Sequence, residues 1–81
     1  MDQAELESAL QEEAHFALGC AVEAGEDLVA AGLDSFAAMQ LIAFLEDTYR
    51  IEVPEERLPI ENFQSCRVIA GWACPLIAGD S

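Results

Sequence analysis

From Leu33 to Val53 the chain contains neither glycine nor proline. Within that stretch the apolar residues recur at helical rather than alternating spacing. Asp34 and Ser35 stand where an N-cap is needed, and Pro54 disfavours helix at Val53. A helix is therefore predicted over residues 35–50, and the rest of this 81-residue chain must pack around it.

The flanking segments supply partners for that helix. Residues 3–18 form a first helix, with Leu6, Leu10, Ala14 and Ala17 on one face, Glu13 intruding on it, and Gly19 as its stop. Residues 19–34 make a long connection rich in glycine, alanine and acids, and Leu28 and Leu33 are the residues expected to pin it to the core. Pro59 punctuates a short helix over 56–62. Ser65 is placed to cap a last helix over 65–74, with Val68, Ile69 and Trp72 as its apolar stripe and Pro75 as its limit. The expected fold is all-α, a small four-helix bundle of three main helices and one short one, forming one domain over residues 1–81.

Charge removes several function classes. Sixteen acids face three bases, all arginines (Arg50, Arg57, Arg67), for a net charge of −13. Such a surface repels nucleic-acid phosphates and anionic lipid. A hydrophobic content of 53% argues against disorder. Basic protein partners are expected. No apolar run is long enough for a membrane span, and the start Met-Asp-Gln-Ala-Glu does not resemble a secretion signal, so a cytoplasmic location is expected. Cys20, Cys66 and Cys74 are odd in number and do not form a disulfide framework; they are expected to be small buried residues.

Read at 3.6 residues per turn, the second helix has a core face of Ala38, Leu41, Ile42, Leu45 and Tyr49. The opposite face carries Phe36, Met39, Gln40, Ala43, Glu46 and Asp47, apolar near its start and acidic near its end. Either the preceding connection covers Phe36, or this is an apolar patch rimmed by acid for transient protein docking. The short chain has little material with which to bury both sides, which favours docking.

Catalytic parts are few. His15 is the one histidine and is expected at or near the surface. There is no Cys-x-x-Cys, no calcium-loop pattern and no glycine-rich phosphate loop, so neither an enzyme nor a metal protein is expected. Ser35 stands apart. It opens the strongest helix at the end of a loop, where free N–H groups and the helix dipole tolerate an attached phosphodiester. The alternative reading is that Asp34 or Ser35 is simply the helix cap.

The stretch Asp27-Leu-Val-Ala-Ala-Gly-Leu-Asp-Ser-Phe36 resembles the attachment motif of acyl carrier proteins. The likeness continues through Gln40-Leu-Ile-Ala-Phe-Leu-Glu-Asp-Thr-Tyr49, Ile51-Glu-Val-Pro54 and Glu61-Asn-Phe-Gln-Ser65, covering residues 5–74. The resemblance implies a non-catalytic, monomeric tether. A phosphopantetheinyl transferase would attach 4'-phosphopantetheine to Ser35, with Asp34 helping to present it. The thiol of that arm would carry acyl or aminoacyl groups from a loading enzyme to downstream synthase and tailoring enzymes. Phe36, Met39, Gln40, Ala43, Glu46 and Asp47 would meet those partners.

Departures from the family pattern shape the expectation further. Phe36 stands where leucine or methionine is commoner, Gln40 where glutamate is frequent, and Ala37 where an acid is frequent. These favour a dedicated carrier in a specialised pathway, polyketide or mixed polyketide–peptide biosynthesis of the antibiotic-forming kind, over fatty-acid housekeeping. An aminoacyl carrier loaded by an adenylating enzyme is the alternative. An unmodified acidic helical adaptor is the reading from another class.

Overall fold

The computed structural model describes residues 2–79. Its α-helices are α1 (Gln3–Leu18), α2 (Ser35–Tyr49) and α3 (Cys66–Ala78), with two short 3₁₀ turns, Glu55–Arg57 and Ile60–Phe63, between α2 and α3. No strand occurs among the described residues, whose regular structure is all helical. The expected fourth helix over 56–62 is instead this pair of turns. Leu58 separates them and Pro59 caps the second. Proline has no N–H to continue a helical ladder, so two tight turns replace one helix.

Each helix begins on a side-chain cap. Asp2 accepts from the Ala4 N–H at 3.3 Å, Asp34 from the Ala37 N–H at 2.9 Å, and Ser65 Oγ from the Val68 N–H at 3.1 Å. Gly19 ends α1 in the left-handed region at φ 76°, its N–H donating to the His15 carbonyl at 2.9 Å. Arg50, expected as the last helical residue of α2, is instead its cap, at φ 57°.

The last helix overruns its expected end. Pro75 lies inside α3, which continues to Ala78 and closes on Gly79 at φ 80°. The carbonyl deprived of its helical partner by Pro75 is that of Gly71, an exposed residue whose oxygen water can satisfy. The lost bond is therefore tolerated.

The core is built from one stripe of each helix. Leu6, Leu10 and Ala14 of α1 meet Ala38, Leu41 and Leu45 of α2 and Ile69, Ala70 and Ala73 of α3, all buried. Ala17, Ile42 and Tyr49 are half-buried at its edge. Val68, expected in the apolar stripe of the last helix, faces outward because the stripe turns through Cys66, Ile69 and Trp72 instead. Trp72 is buried edge-on against Phe63 (centroids 5.7 Å apart, planes at 84°), and its Nε1–H donates to the Asn62 carbonyl at 2.9 Å. That bond ties the second 3₁₀ turn to α3.

The long connection is pinned as expected by Leu28 and Leu33, both buried, and also by Val22. Backbone bonds secure it on both sides: Leu28 N–H to the Gln64 carbonyl at 2.7 Å and Arg67 N–H to the Ala24 carbonyl at 2.9 Å. Asp27 Oδ1 accepts from Val29 and Ala30 and starts a single helical turn within it. The connection therefore delivers Asp34 and Ser35 to a fixed place at the head of α2.

Cys66 is buried and Cys74 half-buried, but Cys20 is exposed, against expectation. It follows the left-handed Gly19 at the turn out of α1, where the chain leaves the core.

Candidate functional site

The roles of Asp34 and Ser35, open in the sequence, separate in the structure. Asp34 has extended backbone and takes the capping bond, while its carbonyl accepts the Ala38 N–H at 2.9 Å. Ser35 is the first helical residue and is exposed, and its hydroxyl has no part in the cap. It stands beside the N–H groups of the first turn, which favour a negatively charged substituent. A serine so placed can accept a phosphodiester without loss of a folding contact.

Beside Ser35 lies a groove of about 440 Å³, bounded on one side by α2 and on the other by Leu58 and Ile60. On α2 it is lined by Ser35, Ala38, Met39, Ile42, Ala43 and Glu46. Ser35, Met39, Ile42 and Glu46 fall at i, i+4, i+7 and i+11, a single stripe along three turns of helix. The small side chains of Ala38 and Ala43 leave room between them. The groove is mostly apolar, with a hydroxyl at one end and a carboxylate at the other. It can shelter an attached chain without enclosing it.

Most of the residues expected to form a docking face are exposed. Phe36 is 72% exposed and Met39 is 68% exposed, so the connection before α2 does not cover Phe36. Gln40, Ala43 and Asp47 are exposed beside them. Glu46 is different: it is half-buried, and its Oε2 accepts the Val53 N–H at 3.0 Å. Expected as rim charge, it also fastens the segment after α2 to the helix. Ala37 is buried against the core rather than lying on the surface.

Sequence reading missed Leu58, Ile60 and the Glu46–Val53 bond. The spacing of Glu46 from Ser35 was a usable signal. The return of Leu58 and Ile60 alongside α2 was not, because it depends on a distant segment.

A second, larger cleft of about 540 Å³ lies across Ile60, lined by Gly25, Asp27, Val29, Glu61, Gln64 and Ser65. It does not include Ser35. His15 is exposed on α1, and among the described residues no group of three or more His, Cys, Asp or Glu is placed to hold a metal ion. No helix among them is long and apolar enough to cross a membrane. Burial, and then the Glu7 carboxylate, push the Cys66 thiol up to about 11, so it is a poor nucleophile near neutral pH.

Comparison with known proteins identifies the family. The family model for the phosphopantetheine attachment site matches residues 5–73. An aminoacyl carrier protein of Agrobacterium fabrum (strain C58 / ATCC 33970) is 44% identical over 43 residues, covering 53% of this chain and 52% of that protein. The chain thus matches about half the length of this relative. No solved structure gives a significant match. Proteins of this family work in general with a phosphopantetheinyl transferase and with loading and synthase enzymes. With a match spanning most of its length, the chain belongs to the phosphopantetheine attachment-site family, whose cofactor is covalently attached 4'-phosphopantetheine.

Proposed function

We propose that Ser35 is the attachment point and that the chain shuttles thioester-bound carboxylic acids between enzymes of a dedicated biosynthetic pathway. The observation that carries this reading is the exposed Ser35 at the first position of α2, relieved of capping by Asp34 and opening onto a groove. The terminal thiol of the bound arm supplies the chemistry, holding each cargo as a thioester. The protein's own residues do the rest. Asp34 fixes the head of α2 so that a transferase meets the hydroxyl in one orientation. Phe36 and Met39 form an apolar contact, with Gln40, Ala43 and Asp47 around them, for weak and reversible docking. The acidic surface draws partners with basic patches.

The cargo we favour is an aminoacyl group, because the relative matched over residues of this chain is named an aminoacyl carrier protein. The second reading is an acyl carrier of polyketide or mixed polyketide–peptide biosynthesis, supported by the apolar lining of the groove. Gln40, exposed where glutamate is frequent, makes the head of α2 less acidic than in fatty-acid carriers, which supports a specialised pathway for either cargo. The chain is read as a monomer acting in the cytoplasm.

Intact mass after incubation with coenzyme A and a broad-specificity phosphopantetheinyl transferase tests the attachment. The wild type should gain one phosphopantetheine and Ser35→Ala none. A folded wild type that gains nothing would leave the acidic adaptor as the better reading. Adenylating and acyl-loading enzymes offered to the modified protein then separate the two cargoes.

A further inference from the structure

The groove beside Ser35 is apolar along its length but ends on a carboxylate. Ser35 and Glu46 are eleven residues apart, which returns them to nearly the same side of α2, about 16.5 Å apart along its axis. An extended phosphopantetheine spans that distance. Met39 and Ile42 lie between the two ends on the same stripe, and Leu58 and Ile60 form the facing wall. None of the three arginines is among the lining residues, so no cation of the groove itself answers Glu46.

The Glu46 carboxylate is also held in position. Its Oε2 accepts the Val53 N–H at 3.0 Å, which leaves Oε1 for another donor. A fixed, half-buried carboxylate gains more from a cation than a mobile surface one, because less ordering is needed on binding. A purely apolar cargo would remove water from that oxygen and offer no hydrogen bond in return.

We infer that Glu46 is a specificity residue for the cargo: the arm lies along α2 from Ser35, and the Glu46 carboxylate pairs with the α-ammonium of a tethered aminoacyl group. This rests on Ser35 as the attachment point. Glu46 thereby discriminates between cargo classes by combining an attraction for the cation with a desolvation cost for an acyl chain lacking it.

The test uses the full chain charged with alanyl-phosphopantetheine labelled with ¹⁵N on the α-amine, alongside the propionyl form, which lacks the ammonium. Intact mass first establishes that the arm is on the protein. NMR titration then gives the pKa of the alanyl ammonium on the wild type, on Glu46→Gln, and in free alanyl-pantetheine. Glutamine keeps an oxygen acceptor for the Val53 N–H but removes the charge. On the wild type the ammonium should titrate about half a unit above the free compound, a roughly threefold shift in proton affinity. On Glu46→Gln it should return to the free value, and the substitution should leave propionyl-induced shifts at Met39 and Ile42 unchanged. An ammonium on the wild type that titrates like the free compound, with the arm shown to be present, overturns this inference and leaves the carrier reading standing. A raised value that survives in Glu46→Gln also overturns it, because another group would then be responsible. Failure of the wild type to accept the arm overturns the carrier reading itself, and this inference with it.

Discussion

Asp34 caps α2 and its neighbour Ser35 does not, and substitution should expose the difference. Removing the Asp34 carboxylate takes away the bond to the Ala37 N–H, so Asp34→Ala should lose about 0.5–2 kcal/mol in urea unfolding. Ser35→Ala removes an exposed hydroxyl outside the cap and should leave the midpoint nearly unchanged. If Ser35→Ala were the more damaging, the assignment of the cap to Asp34 would be wrong. Cys66 offers a second measurement on a single group. Burial first, then the Glu7 carboxylate, raise its thiol from 9.0 to about 11. Below pH 9 the thiol is neutral whether the chain is folded or unfolded, and its contribution to stability is fully present. Above pH 9 the unfolded chain loses the proton while the folded chain keeps it, so stability should fall as pH rises from about 9 to about 11. The Tyr49 phenol, raised by burial and then by Glu5, acts in the same direction. The comparison with Cys66→Ala isolates the thiol: the alkaline decline should be shallower in the variant, and equal slopes would reject the account.

Helix α2 presents one face to the core and another to the solvent, and a pair of truncations separates them. Leu45 is fully buried, so Leu45→Ala should cost about 2–5 kcal/mol. Met39→Ala, on the exposed groove edge, should leave thermal unfolding nearly unchanged while weakening transfer to a partner enzyme. Loss of folding in Met39→Ala would mean that the two faces are misassigned. This helix was readable from the sequence because nothing breaks it and its apolar positions repeat at one period. The same held for α1, whose stop at Gly19 is a local signal, and for Leu28 and Leu33, the large apolar residues in an otherwise small and acidic connection. What was hidden depended on non-local partners. Pro75 marks an end by local rules, yet α3 passes through it, and Gly71, whose carbonyl loses its helical partner there, is exposed. The wall made by Leu58 and Ile60 belongs to a segment tied to α3 by the Trp72 bond to the Asn62 carbonyl, a contact beyond the reach of any local pattern. Glu46 read as surface charge because its partner, the Val53 N–H, is a backbone group that no side-chain pattern reveals.

Across the whole molecule the excess of acids is a folding problem as well as a means of recognition. The described residues extend 31 × 24 × 19 Å, and the full chain carries a net charge of −13. At 0.01 M salt the screening length is about 30 Å, so almost every pair of charges in a body this size repels or attracts without much screening; at 0.15 M it is about 8 Å. Few internal pairs offset the repulsion: among the described residues one ion pair occurs, Arg67 Nε to a Glu7 carboxylate oxygen at 3.8 Å, and Arg67 is largely exposed. Such a pair contributes little. Unfolding separates the acids, so self-repulsion favours the unfolded chain most when salt is scarce. The melting temperature should therefore rise steadily with sodium chloride between 0.01 and 0.15 M, a range set by the screening length. Further salt should add less, since the remaining interactions are already short in range. Arg67→Gln should lower stability slightly at low salt and scarcely at all at the higher concentration. A melting temperature that does not respond to salt would show that the carboxylates are already spaced beyond one another's reach, and partner encounter would then owe less to long-range attraction than the charge implies.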